Sequence, residues 1–119
     1  MSEPFDREAL LERVDNDWEF LTELVEMLGG EGRRLIAEVK SAAASADAPA
    51  VGRLAHTLKG MIGNFCATSA ADAAQSLELK AKSGDLATAS AAIAALETQL
   101  EQLILALQGF LASRPQCTS

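Results

Sequence analysis

The chain has 119 residues, of which 49% are hydrophobic, and a formal net charge of −7 at pH 7. This length fits one domain that buries a core without metal or disulfide staples, and no apolar run approaches the ~18 residues that cross a bilayer. Ten basic against seventeen acidic residues argue against nucleic-acid binding, which depends on neutralising phosphates with lysine and arginine. Residues 1–4 also lack a basic and apolar signal region, so we expect the domain to be cytoplasmic, with a domain cut from a larger membrane-bound protein as the alternative. We further expect a monomer without direct membrane contact.

The first third of the chain predicts a short helix followed by a long one. Asp6 can cap the short helix, whose apolar side is formed by Leu10, Leu11 and Val14. Asn16 and Glu19 then have the spacing of a capping box. The amphipathic run that follows is interpreted as one helix over about 17–46, with a weak point at Gly29, Gly30 and Gly32; two shorter helices are the alternative.

The middle of the chain predicts two further helices. Asp47, with Pro49 in the first turn, favours a helix start, and the apolar pattern continues over about 49–66. Ser69 and Asp72 again have capping-box spacing, which predicts an alanine-rich helix over about 69–82. The alanines would let this helix approach its neighbour closely.

The last part predicts one long helix and a tail. Gly84 and Asp85 offer a helix stop and an acidic cap, after which apolar residues recur at three- and four-residue steps over about 86–112. Residues 114–119 are expected to be a disordered tail. Strand alternation is missing from the sequence, so the predicted fold is all-α: an antiparallel up-and-down four-helix bundle over 1–113, with the short N-terminal helix as an extra element.

The two cysteines, Cys66 and Cys117, predict neither a metal site nor a disulfide framework. They are far apart in sequence and form no Cys-x-x-Cys pair. We interpret Cys66 as a small buried hydrophobe and assign no role to the tail thiol of Cys117. The single histidine, without a Glu-x-x-His repeat, likewise supplies too few ligands for a metal centre in a bundle.

That histidine, His56, lies in a helical stretch that carries three glycines. At about 100° per residue, the apolar side chains fall opposite His56 and form the predicted core face; they are Val51, Leu54, Leu58, Met61, Ile62 and Phe65. Gly52, Gly60 and Gly63 fall within about 40° of His56, with Arg53 and Lys59 on either side. Each glycine inside a helix lowers helix stability by about 1 kcal/mol relative to alanine. This loss is explained if the missing side chains let the surface of another protein close over the His56 ring. Tight packing of a neighbouring helix beside an ordinary surface histidine is the alternative.

The run His56-x-x-Lys59-Gly60, preceded by Leu54-Ala55 and followed downstream by Ala67, closely resembles the signature of histidine-containing phosphotransfer (HPt) domains. The resemblance extends over about 5–112. One departure is Cys66, which stands where many members have glycine.

The resemblance implies that His56 accepts a phosphoryl group from an aspartate of a receiver domain and passes it to another receiver in a reversible relay. It implies that Lys59 stabilises the phosphoryl group and that Glu78, or Gln75 one turn earlier, orients the ring. The surface expected to dock the partner contains Gly52, Arg53, Gly60, Gly63 and Asn64.

The sequence has no glycine-rich phosphate loop between a strand and a helix, so the domain should not be a kinase. No cofactor is expected, and Mg²⁺ would be brought by the receiver domain. Two other functions stay open: a phosphoacceptor domain linked to a chemotaxis-type histidine kinase, and a non-catalytic helical docking module.

Overall fold

The computed structural model describes residues 4–114, in which all regular secondary structure is helical and no strand is present. The helices are α1 (Arg7–Arg13), α2 (Trp18–Met27), α3 (Arg33–Ala44), α4 (Ala48–Gly63), α5 (Thr68–Lys82) and α6 (Ala89–Ala112), and a π-helical turn, Leu28–Gly32, joins α2 to α3. The all-α prediction is confirmed. The predicted tail lies outside the described residues except for Arg114, and Cys117 lies outside them as well.

The predicted long helix is present and runs without a break from α2 through the π-helical turn into α3. The weak point falls at the three glycines, as expected. Gly32 is buried there, and a Cβ atom on it would lie 3.3 Å from Leu100 of α6. The wider turn therefore coincides with a close approach between this helix and α6.

Aspartate side chains begin three of the helices. Asp6, Asp17 and Asp47 each accept a hydrogen bond from a backbone N–H three residues later. The prediction that Asn16 caps α2 is wrong: Asn16 has φ +58°, whereas an N-cap needs an extended backbone, which Asp17 supplies with φ −87°.

Helix α5 begins at Thr68, within one residue of the predicted start, but its predicted capping box is wrong, and so is the predicted start of α6. The N-cap of α5 is Ala67, without a side-chain hydrogen bond, so Ser69 and Asp72 form no capping box. Helix α6 begins at Ala89 rather than near residue 86, because Asp85 binds the backbone N–H and the hydroxyl of Thr88 in a turn that precedes the helix. Gly84 has φ +76° and ends α5 as predicted.

One continuous apolar core joins α4, α5 and α6, with α4 packed on α5 and on α3, and α6 packed on α5. On α4 the fully buried side chains are Val51, Ala55, Leu58 and Ile62, while Leu54 and Met61 are only partly buried. The core face is thus rotated by roughly 40° toward Lys59 from the predicted one, since α5 packs on that side. None of the helices within residues 4–114 is long and apolar enough to cross a membrane.

Helix α1 is held at the end of the molecule where α4 and α6 terminate. The backbone N–H of Asp6 donates to the carbonyl of Cys66, and the ring of Phe5 packs 5.3 Å from that of Phe110. Arg13 donates to the carbonyl of Gly63 at the last turn of α4. Cys66 is only partly buried and has φ +55°, so it is a strained turn residue rather than the core hydrophobe that we expected.

Candidate functional site

His56 projects from the middle of α4 into solvent, with 66% of its side chain exposed. Its neighbours Ala55 and Leu58 are fully buried, so the backbone that carries the ring is anchored in the core. The ring therefore stands on a rigid helix while remaining open to another protein.

One buried carboxylate contacts the ring. Oε2 of Glu78, on α5, lies 2.9 Å from Nδ1 of His56. Only 8% of the Glu78 side chain is exposed, although the ring it contacts is largely open to water. Of the two residues predicted to orient the ring, Glu78 makes the hydrogen bond, and Gln75 is an exposed residue one turn away.

Two lysines bind the same carboxylate. Nζ of Lys59 donates to Oε1 of Glu78 at 3.0 Å, and Nζ of Lys82 lies 3.5 Å from Oε2. Lys59, predicted to meet a phosphoryl group, is thus paired with Glu78 in the free domain. The sequence reasoning missed Lys82, although its position four residues after Glu78 on one helix face is a signal that could have found it.

Small residues on α5 bring Glu78 this close to α4. The stripe of α5 that is buried against the bundle consists of Ala70, Ala74, Leu77 and Ala81. A Cβ atom on Gly52 of α4 would lie 3.4 Å from the Cβ of Ala81, which is ordinary contact. Gly52 therefore lies against α5 rather than in the open surface beside His56, but the packing of the two helices does not require glycine at this position.

The cations around Glu78 determine its charge. The hydrogen bond from Lys59, and to a lesser degree that from His56, holds the pKa of the Glu78 carboxyl below its usual value of 4.5, while burial acts in the opposite direction. The group is therefore ionised at neutral pH and can only accept hydrogen bonds. Nδ1 of His56 must then carry the proton, which leaves a lone pair on Nε2 whenever the ring is neutral.

The remaining residues of the predicted docking surface surround His56 in two groups. Added Cβ atoms at Gly60 and Gly63 would meet nothing within 4 Å, so the surface there is open, and Asn64 is exposed where α4 ends. Arg53 is exposed on the opposite side and lines a hollow of about 660 Å³ between α4 and α5. The bond from Arg13 to the Gly63 carbonyl was not foreseeable, because it joins residues fifty positions apart.

Comparison with known proteins gives one match. No curated protein and no solved structure matches the chain, but the model of the Hpt domain family matches residues 23–106, which include all of α3, α4 and α5. Hpt domains carry out histidine phosphotransfer in two-component signalling and are carriers rather than kinases. Since the match covers more than two thirds of the sequence and contains His56, Lys59 and Glu78, the chain belongs to the Hpt domain family.

Proposed function

We propose that this domain is a phosphorelay intermediate in which His56 accepts a phosphoryl group from an aspartate of one receiver domain and passes it to another. The observation that carries the proposal is the 2.9 Å hydrogen bond between Nδ1 of the exposed His56 ring and the buried carboxylate of Glu78. It supports a nucleophile that is held at one ring nitrogen and free at the other.

In the proposed step, the lone pair on Nε2 of His56 attacks the phosphorus of an aspartyl phosphate. A nitrogen–phosphorus bond forms, the bond from phosphorus to the aspartate oxygen breaks, and the aspartate leaves as a carboxylate. The proton on Nδ1 stays in place, so the phosphorylated ring carries a positive charge that Glu78 offsets at short range. Transfer to the next receiver reverses these changes, which makes the relay reversible.

Lys59 is proposed to stabilise the transferred phosphoryl group. It lies three residues after His56, on the neighbouring position of the helix surface, and a third of its side chain is exposed. When a docked partner excludes water, an ammonium group gains attraction for a phosphoryl oxygen. Glu78 would keep its second contact with the ring while Lys59 turns toward the phosphate.

The rest of the proposal concerns the partner and the scaffold. The domain acts as a monomer without a cofactor of its own, and the receiver domain supplies Mg²⁺. The open surface at Gly60 and Gly63 leaves room for the receiver to bring its phosphorus in line with Nε2. We also propose that four long helices alternate in direction: the continuous helix from α2 to α3, then α4, α5 and α6. Connections of a few residues join α3 to α4 and α4 to α5, and both pairs pack together.

The test is transfer from a receiver domain carrying ³²P on its aspartate. The wild-type chain should acquire an acid-labile label, and His56→Gln should acquire none while keeping its helical circular dichroism. Label on the variant would mean that another residue is the nucleophile. Label taken from an ATP-charged kinase domain but from no receiver would instead favour the chemotaxis-type domain. If the wild type and His56→Gln bind receiver domains equally well and neither is ever labelled, the result would favour the docking module.

A further inference from the structure

A hollow of about 660 Å³ lies on one side of His56, between the first turns of α4 and the last turn of α5. Small side chains line much of it, namely Ala48, Gly52, Ala81 and Gly84. Two basic side chains, Arg53 from α4 and Lys82 from α5, also line it. A side chain of another protein could therefore enter beside the histidine and meet a positive charge on each helix.

The charge around this hollow differs from that of the whole chain, which is −7. The acidic residue that lines the hollow, Glu78, is buried and already accepts hydrogen bonds from His56 and Lys59. Lys82 is 68% exposed at a longer 3.5 Å from that carboxylate, and Arg53 forms no ion pair with any residue in 4–114. Positive charge is thus in local excess beside the phosphoacceptor.

Basic residues elsewhere on α3 are used differently. Arg33, Arg34 and Lys40 each bind glutamate side chains at 2.6–2.9 Å. Their charges are balanced within the domain, whereas Arg53 has no ion pair among residues 4–114, and Lys82 shares the single carboxylate of Glu78 with Lys59, which leaves a net positive charge at the hollow.

We propose that the hollow between Arg53 and Lys82 seats the acidic rim of the receiver domain's phosphorylation pocket, so that the receiver docks on His56 from the α5 side. The inference rests on the proposed function, because it takes a receiver domain as the partner. Opposite charges on two approaching surfaces raise the association rate and select the orientation of the encounter. Lys82 and Arg53 are therefore docking residues, and they leave the chemistry at Nε2 to His56.

The experiment measures the second-order rate of phosphoryl transfer from a labelled receiver to Arg53→Gln and Lys82→Gln. Each should lower the rate about threefold at low ionic strength, and the difference should vanish near 1 M salt, where the Debye length is about 3 Å. Lys80→Gln, on α5 but bound to Thr88 away from the hollow, and Arg34→Gln, on α3, are matched charge controls.

The salt dependence separates docking from a disturbance of Glu78. If Lys82→Gln acts by moving the Glu78 carboxylate, its rate will be lower at every salt concentration, and the proposal is overturned. Rates for both variants that equal those of the controls overturn it as well, while label on wild-type His56 would leave the proposed function standing. If the wild type takes no label, receiver binding to the two variants is titrated directly, and affinities equal to those of the controls overturn the docking proposal.

Discussion

The α4–α5 and α3–α6 helix pairs both join opposite charges, but they do so in opposite environments. Between α3 and α6, Arg33 binds Glu101 through two hydrogen bonds and Lys40 binds Glu97, and every one of these side chains is at least 40% exposed. Between α4 and α5, Glu78 is only 8% exposed and has three cationic or ionisable partners. The same type of pair is solvated on one side of the bundle and desolvated on the other.

The difference separates stabilisation from positioning. Exposed pairs contribute little to folding, since water and salt screen both partners. A buried carboxylate loses its hydration and must be compensated by close partners in a specific geometry. The partners of Glu78 outweigh its loss of hydration, so its carboxylate stays ionised in a fixed position, and the exposed imidazole beside it is the group that this arrangement orients.

Removing each carboxylate in turn tests this contrast most directly. Glu78→Ala should slow transfer to His56 by about 100-fold, because the ring loses the acceptor that fixes its orientation and tautomer. Glu101→Ala should leave the rate unchanged, since it lies in an exposed pair on another helix. Glu78→Gln should fall between the wild type and Glu78→Ala, because an amide can still accept from Nδ1 but carries no charge. Equal rates for the two alanine variants would contradict the positioning role of Glu78.

Replacing an open glycine tests whether the surface beside the ring must stay bare. Gly60→Leu should slow transfer about tenfold, because the new side chain projects where a partner would close over His56. Gly109→Leu on α6 is the matched control, since an added Cβ meets nothing within 4 Å at either position. Both variants should keep their helicity by circular dichroism. An unaltered rate for Gly60→Leu would leave the glycine without a docking role.

Acid unfolding compares the two carboxylates by their contribution to folding. Lys59 lowers the pKa of Glu78 and Arg33 lowers that of Glu101, both from a usual 4.5. A lowered pKa in the folded state gives stabilisation that is complete above the pKa of the unfolded chain and is lost as the pH falls through the folded value. Urea midpoints should therefore be flat from about pH 7 to 5.5 and fall below 4.5.

Salt then distinguishes the two groups in that experiment. Glu101→Gln should flatten the acid decline at low salt but not at about 0.5 M NaCl, where exposed pairs are screened. Glu78→Gln should flatten it at both concentrations, because its carboxylate is buried. Curves for Glu78→Gln that parallel the wild type under both conditions would mean that this ion cluster has no share in the acid response.

The sequence was enough to predict the helical class, the continuous helix with a weak point at its glycines, and the exposed position of His56. These follow from the 3.6-residue period, which assigns each side chain to a face without knowledge of its neighbours. It also placed Glu78 near the ring, although only through family resemblance. Periodicity alone could not choose between Glu78 and Gln75, because that choice depends on how α5 is rotated against α4.

The wrong or missing predictions concern features that depend on the backbone conformation of a single residue or on a contact between residues far apart in sequence. Asn16 and Asp17 are both good caps, and the left-handed backbone of Asn16 gives the role to Asp17. The hollow beside His56 and the charge of Lys82 at its rim need the packing of two helices to be known. The same applies to the link from Arg13 to Gly63, since nothing local pairs them.

The smallest expected effect concerns Cys66, in the connection from α4 to α5. Cys66 has φ +55°, a backbone conformation that costs a residue with a side chain about 1–2 kcal/mol. Glycine adopts this φ without that cost, but it loses more conformational entropy when the chain folds. Cys66→Gly should therefore raise the free energy of unfolding by about 0.5–1 kcal/mol in urea titrations. Ala46→Gly, at the same φ in the connection from α3 to α4, should give a similar gain and serves as the control.

Transfer rates of the two glycine variants then show whether the α4–α5 connection matters to the site. We expect both variants to transfer at the wild-type rate, because Glu78 is held in place by the alanine stripe of α5 and by its own cations rather than by the turn. A slower Cys66→Gly beside an unchanged Ala46→Gly would mean that the strained turn sets the rotation of α5. The position of Glu78 and its cations would then depend on the connection between α4 and α5 as well as on the packing of these two helices.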